Sequence, residues 1–391
     1  MLTNAIRDYA WGSTTHLAEF QERAPSGEPE AELWIGAHDG DPSTLSDGRK
    51  LDAVIADDPL AMLGEEVCGV FGQRLPFLMK VLAVEEPLSL QVHPSSDRAR
   101  TGHADENHEG VPLDSPQRSY KDPWHKPELL YALTHFEGMA GFRDVESSAD
   151  LLRLLHLPWA DDVADRLDAG PAVETLRSVV TESLALEGRT LERLLRDLAE
   201  AALDAEPTNN GEAARVCAHT VDLVTTYPCD PGVLVALLLN HIVLAPGEAM
   251  FVNAGVVHTY ISGVGLEIMA SSDNVLRAGL TPKHVDVEEL LSVTNFTPIP
   301  PPRWDPAEHA DDCVHLAPPV AEFGLTVGRT PLRCPPPSGP RILLALEGEV
   351  TVVTQDEQVH LSRGQSVYIR HDDGPFEVSG DGNVAVGAVP D

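Results

Sequence analysis

Apolar and polar positions change their rhythm several times along this chain, and each change marks an element. Residues 1–50 carry short apolar runs, YAWGS and AELWIGAHDGDPS, broken by Gly, Asp and Pro, which predict strands and turns with Trp11 and Trp34 as core aromatics. LDAVIADDPLAMLGEEVCGVFG, residues 51–72, has helical spacing. LPFLMKVL is continuous enough for a buried strand. After a turn at Glu85-Glu86-Pro87, LSLQVH alternates: Leu88, Leu90 and Val92 face one side and Ser89, Gln91 and His93 the other. Residues 97–119, with His103 and His108, are polar and predict an exposed connection. HKPELLYAL then predicts a strand that sets Lys126 and Glu128 on one face.

From residue 146 to 227 the spacing becomes i, i+3, i+4, as in SADLLRLLHL, AVETLRSVVTESLAL and TLERLLRDLAEAAL. This predicts a helical subdomain of four or five helices, opened by a capping box at Ser147 and Asp150, whose role is packing. The β pattern resumes after Pro228 and Pro231. PIPPPRWDP, residues 298–306, is a linker. ILLALEGEVTVVT, VHLSRGQSVYI, PFEVSG and NVAVGAV follow as short strands. One internal repeat stands out. LAPGEAMFV (244–252) and LSRGQSVYI (361–369) align on Leu-x-x-Gly and on an aromatic near the end, each as a turn between two barrel strands. The first copy continues to a histidine, His258, and the second has none at the matching place. The fold class is therefore mainly β with an α-helical insert: two jelly-roll barrels plus a helical subdomain. The site-bearing barrel spans 1–145 and 230–299, the insert 146–229, and a barrel without a site 300–391.

Composition narrows the function. At 42% hydrophobic residues the chain can bury a core, yet it has no apolar run of about 18 residues, so no membrane span is expected. No basic-then-apolar leader opens it, so a cytoplasmic protein is expected. The five cysteines are scattered without a CxxC pair and predict reduced thiols rather than a thiolate zinc site. A formal charge of −35 disfavours nucleic acid and anionic membranes as partners. No protein partner is evident, and a monomer is expected. Lysine occurs only at 50, 80, 121, 126 and 283, and Lys121, Lys126 and Lys283 fall in the motifs below. A lysine kept where arginine is the usual cation suggests a need for a compact ammonium.

Four residues form a mixed N/O ligand set on different strands: Gln91, His93, Glu128 and His258. Two imidazoles, a carboxylate and an amide oxygen suit Zn²⁺ or another divalent first-row ion, with a position left for water or substrate. A salt bridge to Lys126 is the purely structural reading of Glu128, and one to Asp273 that of Arg277.

The motifs YAWGS, ELWIGAH, PFLMKVL with PLSLQVHPS, YKDPWHKPEL and HTYISGVGLEIMASSDNVLRAGLTPKH resemble type I phosphomannose isomerases, zinc enzymes of the cupin superfamily. The resemblance covers roughly residues 1–143 and 235–297, and departs from the usual cupin pattern at Asn253 and Thr259. It implies one Zn²⁺ per chain on Gln91, His93, Glu128 and His258, and a phosphorylated hexose as substrate. It implies a catalytic Arg277, and Ser89, Lys126 and Lys283 at the sugar phosphate, with Tyr260 and Glu267 lining the same pocket. The implied reaction interconverts mannose 6-phosphate and fructose 6-phosphate through an enediolate, feeding GDP-mannose metabolism. Catalytic roles are expected for Arg277, Glu267 and Lys126. Glu267 stands open between general base and a partner that orients a ligand. The competing readings are a metal-binding cupin that senses a sugar phosphate without turning it over, and another cupin enzyme such as an iron oxygenase.

Overall fold

A computed structural model describes residues 1–205, 211–306, 308–310, 313–332 and 339–390. Strand takes 30% and helix 32% of the residues, so the chain is β where it carries the candidate ligands and helical in its insert. The strands fall into two sheets. A ten-stranded sheet is built from residues 5–7, 32–36, 77–84, 90–92, 128–132, 136–142, 239–244, 249–252, 258–270 and 276–279. A nine-stranded sheet takes the strands from 308 to 388 together with Leu2–Thr3 and Thr44–Leu45, the former pairing Leu2 with Ser366.

His258–Ala270 is the spine of the first sheet. Its second half pairs with Phe77–Val84 and Glu128–Ala132, and its first half with Leu90–Val92 and Phe136–Phe142. The register shifts between Tyr260 and Ser262, and Gly263 follows at φ +116°. A Cβ there would stand 2.5 Å from the His135 carbonyl oxygen, so only glycine lets the strand cross from one set of partners to the other. The outer face of this sheet packs on the second. Met79, Val81 and Ile268 share one buried cluster with Ile342, Leu344 and Ala385.

The internal repeat survives as geometry. Gly247 and Gly364 occupy the same repeat position with φ +92° and +79°. In each turn the next side chain, Glu248 or Gln365, accepts from the backbone N–H three residues before it, at 2.8 and 3.0 Å. In neither copy do the flanking strands pair with each other; Leu239–Leu244 pairs with Phe136–Phe142, and Ala249–Val252 with Glu128–Ala132.

Among its described residues the insert has five α-helices, Val145–Leu154, Pro158–Ala169, Ala172–Leu184, Gly188–Ala205 and Glu212–Thr226. Leu191, Leu195, Leu198 and Ala202 line the buried stripe of the fourth. Burying each such leucine stabilises by about 1.5–3 kcal/mol. That stripe is not a separate core: it is continuous with Val92, Phe142 and Leu276 of the sheet. The insert therefore braces the back of the strands that carry Gln91 and Arg277.

Four expectations need correction. Residues 96–109 are a helix, not a loop, capped by Ser95 and closed by Gly110 in the left-handed region. It lacks an apolar stripe and is held by polar partners: Arg98 pairs with Glu289, and Glu106 accepts from Ser119 and Tyr120 N–H at 2.8 Å each. The first insert helix is capped by Asp144, whose carboxylate accepts from Ser147 N–H at 2.9 Å, instead of by a Ser147–Asp150 box. Cys313 is disulfide-bonded, whereas Cys68 and Cys229 are free thiols, and Cys334 lies outside the described residues. Trp11 and Trp34 belong to the wall of a cleft as well as to the core. Among the described residues no helix is long and apolar enough to cross a membrane.

Candidate active site

Register places the first ligands. Gln91 lies directly opposite His258 on one neighbouring strand and Arg277 on the other. Directly paired residues project to the same face, so one row across three strands presents an amide, an imidazole and a guanidinium. His93 follows two positions after Gln91. The Gly255 turn, at φ +80°, donates its N–H to the His93 carbonyl at 2.9 Å and so fixes the approach of His258 to the same point. Thr259, where the sequence departs from the usual cupin pattern, donates to the Leu88 carbonyl at 2.8 Å and ties the two ligand strands together.

His93, Glu128 and His258 are all buried and converge. His93 Nε2 lies 3.2 Å from one Glu128 oxygen and His258 Nε2 3.2 Å from the other. Each ring also faces a backbone carbonyl through Nδ1, Asn274 at 2.8 Å and Val256 at 3.0 Å. A carbonyl only accepts, so each Nδ1 carries the proton and each Nε2 turns a lone pair towards the carboxylate. His93 Nε2 has no hydrogen-bond partner despite its complete burial. Acceptors facing acceptors are repulsive, and a cation among them removes the conflict. The donor set fits Zn²⁺, and Gln91 is placed by register to complete it.

The surrounding charges agree with this. Burial pushes the His93 imidazolium down to about 4, only partly offset by Glu128, so the ring is neutral at pH 7. Burial alone would raise Glu128, but Lys126, with Nζ 3.0 Å away, holds it well below the usual range. The expected salt bridge to Lys126 thus exists and coexists with the ligand geometry.

Above this group opens a cleft of about 700 Å³. Ser89, Gln91, Lys126, Arg277 and Lys283 line it. Among the described residues neither Arg277 nor Lys283 has an ion-pair partner; Asp273 pairs instead with His38 at 3.4 Å. Burial lowers Lys283, and Arg277 lowers it further, so two cations share one wall uncompensated.

Tyr260 and Glu267 do not line the cleft. Both are buried beneath it, and the Tyr260 hydroxyl donates to Glu267 at 3.1 Å. Glu267 faces Lys80, 3.5 Å from its Nζ, and burial, reinforced by the Glu128 charge, pushes its carboxyl up to about 7.

Sequence reasoning missed Lys80. It is buried between Glu32 at 3.6 Å and Glu267, over the Trp34 ring, and it reaches the cleft. The signal was there: an isolated lysine inside the continuous apolar run LPFLMKVL. Asn274 was also missed. Its carbonyl orients His93, and its side chain accepts from Lys121 N–H at 2.7 Å and donates to the Asp122 and Trp124 carbonyls, clamping the segment that delivers Lys126. Tyr227, at the end of the last insert helix, lines the cleft too, so the insert contributes to its wall.

Comparison with known proteins places this geometry. Residues 1–145 match the sequence model of the phosphomannose isomerase type I catalytic domain, and residues 340–389 that of the mannose-6-phosphate isomerase cupin domain. The chain is 38% identical to mannose-6-phosphate isomerase of Salmonella typhimurium and 37% identical to that of Escherichia coli K12, over 98% of both chains in each case. It is 32% identical to the Rattus norvegicus protein, over 94% of this chain and 92% of the other. The crystal structure of the Salmonella typhimurium enzyme bound to substrate and zinc superimposes with a TM-score of 0.89 at 36% identity, covering 99% of this chain and 98% of that one.

Proposed function

The chain belongs to the type I phosphomannose isomerase family, and from that premise we infer that it interconverts mannose 6-phosphate and fructose 6-phosphate with the aid of zinc. The observation that carries the reading is the buried His93–Glu128–His258 group beneath a cleft walled by unpaired cations. Zinc held by these three residues and Gln91 supplies Lewis-acid polarisation of the oxygens on C1 and C2.

The protein's own groups do the rest. A sugar phosphate carries about −1.5 to −2 charges at neutral pH, and Arg277 and Lys283 offer it two cations with no carboxylate to displace. Ser89 adds a hydroxyl on the same wall. The total charge of −35 does not repel the substrate at this range, because distant surface charges are screened beyond about 8–10 Å. Proton transfer between C1 and C2 builds negative charge on oxygen in an enediolate. Lys126, at the cleft floor, is preorganised to stabilise it. We assign Glu267 to positioning: it sits behind Lys80, holds that ammonium with Glu32, and is itself held by Tyr260.

The test is a coupled assay from fructose 6-phosphate on the purified chain. Turnover should vanish on chelation and return with added zinc. No turnover with metal restored rejects the reading.

A further inference from the structure

On the other face of the ligand-bearing sheet a second histidine–carboxylate group repeats the chemistry of the first. Glu137 lies on Phe136–Phe142, His241 on Leu239–Leu244 and His219 on the insert helix Glu212–Thr226. Register separates the two groups. His258 pairs with Ala140, while Glu137 and Met139, of opposite parity, pair with Val243 and His241. Glu137 and His241 are therefore diagonal neighbours on the face turned away from His258.

The distances parallel those of the first group. His219 Nε2 lies 2.9 Å and His241 Nε2 3.3 Å from one oxygen of Glu137, against 3.2 and 3.2 Å around Glu128. The rings of His219 and His241 stack at 4.9 Å and bring their Nε2 atoms to the same oxygen. The His241 side chain is fully buried, and its Nε2 has no hydrogen-bond partner, as is true of His93 Nε2. The other Glu137 oxygen accepts from His135 at 2.9 Å.

We propose that Glu137, His219 and His241 form a second divalent-metal site, for Zn²⁺ or a similar first-row ion, that pins the insert to the barrel. Its ligand chemistry, two imidazoles and a carboxylate with solvent open at His219, leaves a fourth position for water. One neighbour must yield. Arg215 Nε lies 3.4 Å from His241 Nδ1, and binding through Nε2 requires that Nδ1 carry the proton. Arg215 therefore turns aside when metal enters. Glu212 stands nearby, accepting from Arg143 and from His241 N–H, and offsets the added charge. The role is structural. The metal ties His219 to two strands and so joins the helix that ends at Tyr227, in the cleft wall, to the barrel.

The test uses the full chain reconstituted with excess Zn²⁺, then passed through gel filtration for metal analysis and thermal melting. The expectation is about two zinc ions per wild-type chain and about one in His219→Ala and in Glu137→Gln. Turnover should stay within about twofold in both variants, and the rise in Tm on adding the second equivalent should be lost. His258→Ala should retain one zinc without turnover, which separates this site from the first. A wild-type chain that holds one zinc with no further rise in Tm overturns the proposal. So does a second equivalent that persists in both variants, or a His258→Ala chain that holds none. Two zinc ions on a wild-type chain without turnover would support this site while rejecting the isomerase reading.

Discussion

Glu267→Gln separates a base from a positioning residue, and the structure fixes the outcome of each case. The substitution keeps the oxygen that accepts from Tyr260 and removes the charge beside Lys80. In the metal-free chain the Glu267 carboxyl is raised from 4.5 to about 7, by burial first and Glu128 second, with Lys80 opposing. The group is fully buried, so the shift converts with little solvent screening. Some 2.5 pH units at 1.36 kcal/mol each amount to about 3 kcal/mol. The sign follows from which state ionises first. Below about pH 4.5 both folded and unfolded states hold the proton and Glu267 carries no penalty. Between about 4.5 and 7 only the unfolded state releases it, so stability falls as pH rises, and above 7 the penalty is complete.

A neutral glutamine never incurs that penalty. Metal-free Glu267→Gln should exceed the wild type by less than about 1 kcal/mol in denaturant melts near pH 5 and by up to about 3 kcal/mol at pH 8. In the zinc-loaded enzyme, kcat should fall less than about tenfold, because Lys80 keeps Glu32 as a partner at 3.6 Å. A general base would instead lose about 10²–10⁴-fold. A kcat at least a hundredfold lower, with zinc retained, refutes the positioning role. Parallel stability curves for the two proteins from pH 5 to 8 refute the linkage argument.

Other substitutions test neighbouring parts. His258→Ala should lose the catalytic zinc by metal analysis, whereas Lys283→Ala should keep it and mainly raise KM; zinc loss from Lys283→Ala would place that lysine in the wrong role. Lys80→Met leaves Glu32 and Glu267 buried without their cation and should cost about 3–5 kcal/mol in urea melts at pH 8, less at pH 5 where Glu267 is protonated. Gly364→Ala forces a side chain into the left-handed region at φ +79° and against Gln21, and should destabilise by about 1–2 kcal/mol with turnover unchanged. A melt indistinguishable from wild type would mean that this turn relaxes.

What could be read from the sequence was whatever a period or a local motif encodes. Alternation in LSLQVH put Gln91 and His93 on one face, and the structure brings His93 together with Glu128 and His258. The insert announced itself through i, i+3, i+4 leucines and has five α-helices among its described residues. What escaped was set by partners distant in sequence. The helix Ser96–Glu109 buries only Ala99 and Gly102, so no period marks it; its stability comes from Glu289, Ser119 and Tyr120. The burial of Tyr260 and Glu267 depends on how His258–Ala270 crosses between partners at Gly263, which no local pattern shows. Asn274 looked like one polar residue of a motif, yet its carbonyl sets the tautomer of His93 from 181 residues away.

The distribution of lysine carries the argument furthest. Four of the five lysines, Lys80, Lys121, Lys126 and Lys283, line one cleft in a chain with 62 acidic residues. Outside the cleft the arginine fork grips both oxygens of a carboxylate, as in Arg98 with Glu289 and Arg166 with Glu182. Such a grip would be harmful at Glu128. Each of its oxygens must face an imidazole across 3.2 Å, and Lys126 shares only one of them, at 3.0 Å. An ammonium is a point charge that lowers the carboxylate's proton affinity and leaves its other lone pairs free. A guanidinium in its place would bridge both oxygens and compete with the metal for them. Lys126→Arg, though it conserves charge, should therefore bind zinc at least about tenfold more weakly, with kcat falling in step at subsaturating metal and partly recovering at high zinc. Lys126→Met should keep its metal better than Lys126→Arg while losing the ammonium's share of kcat. If the arginine variant held zinc as tightly as the wild type, the preference for lysine at this position would have to come from the substrate side of the cleft.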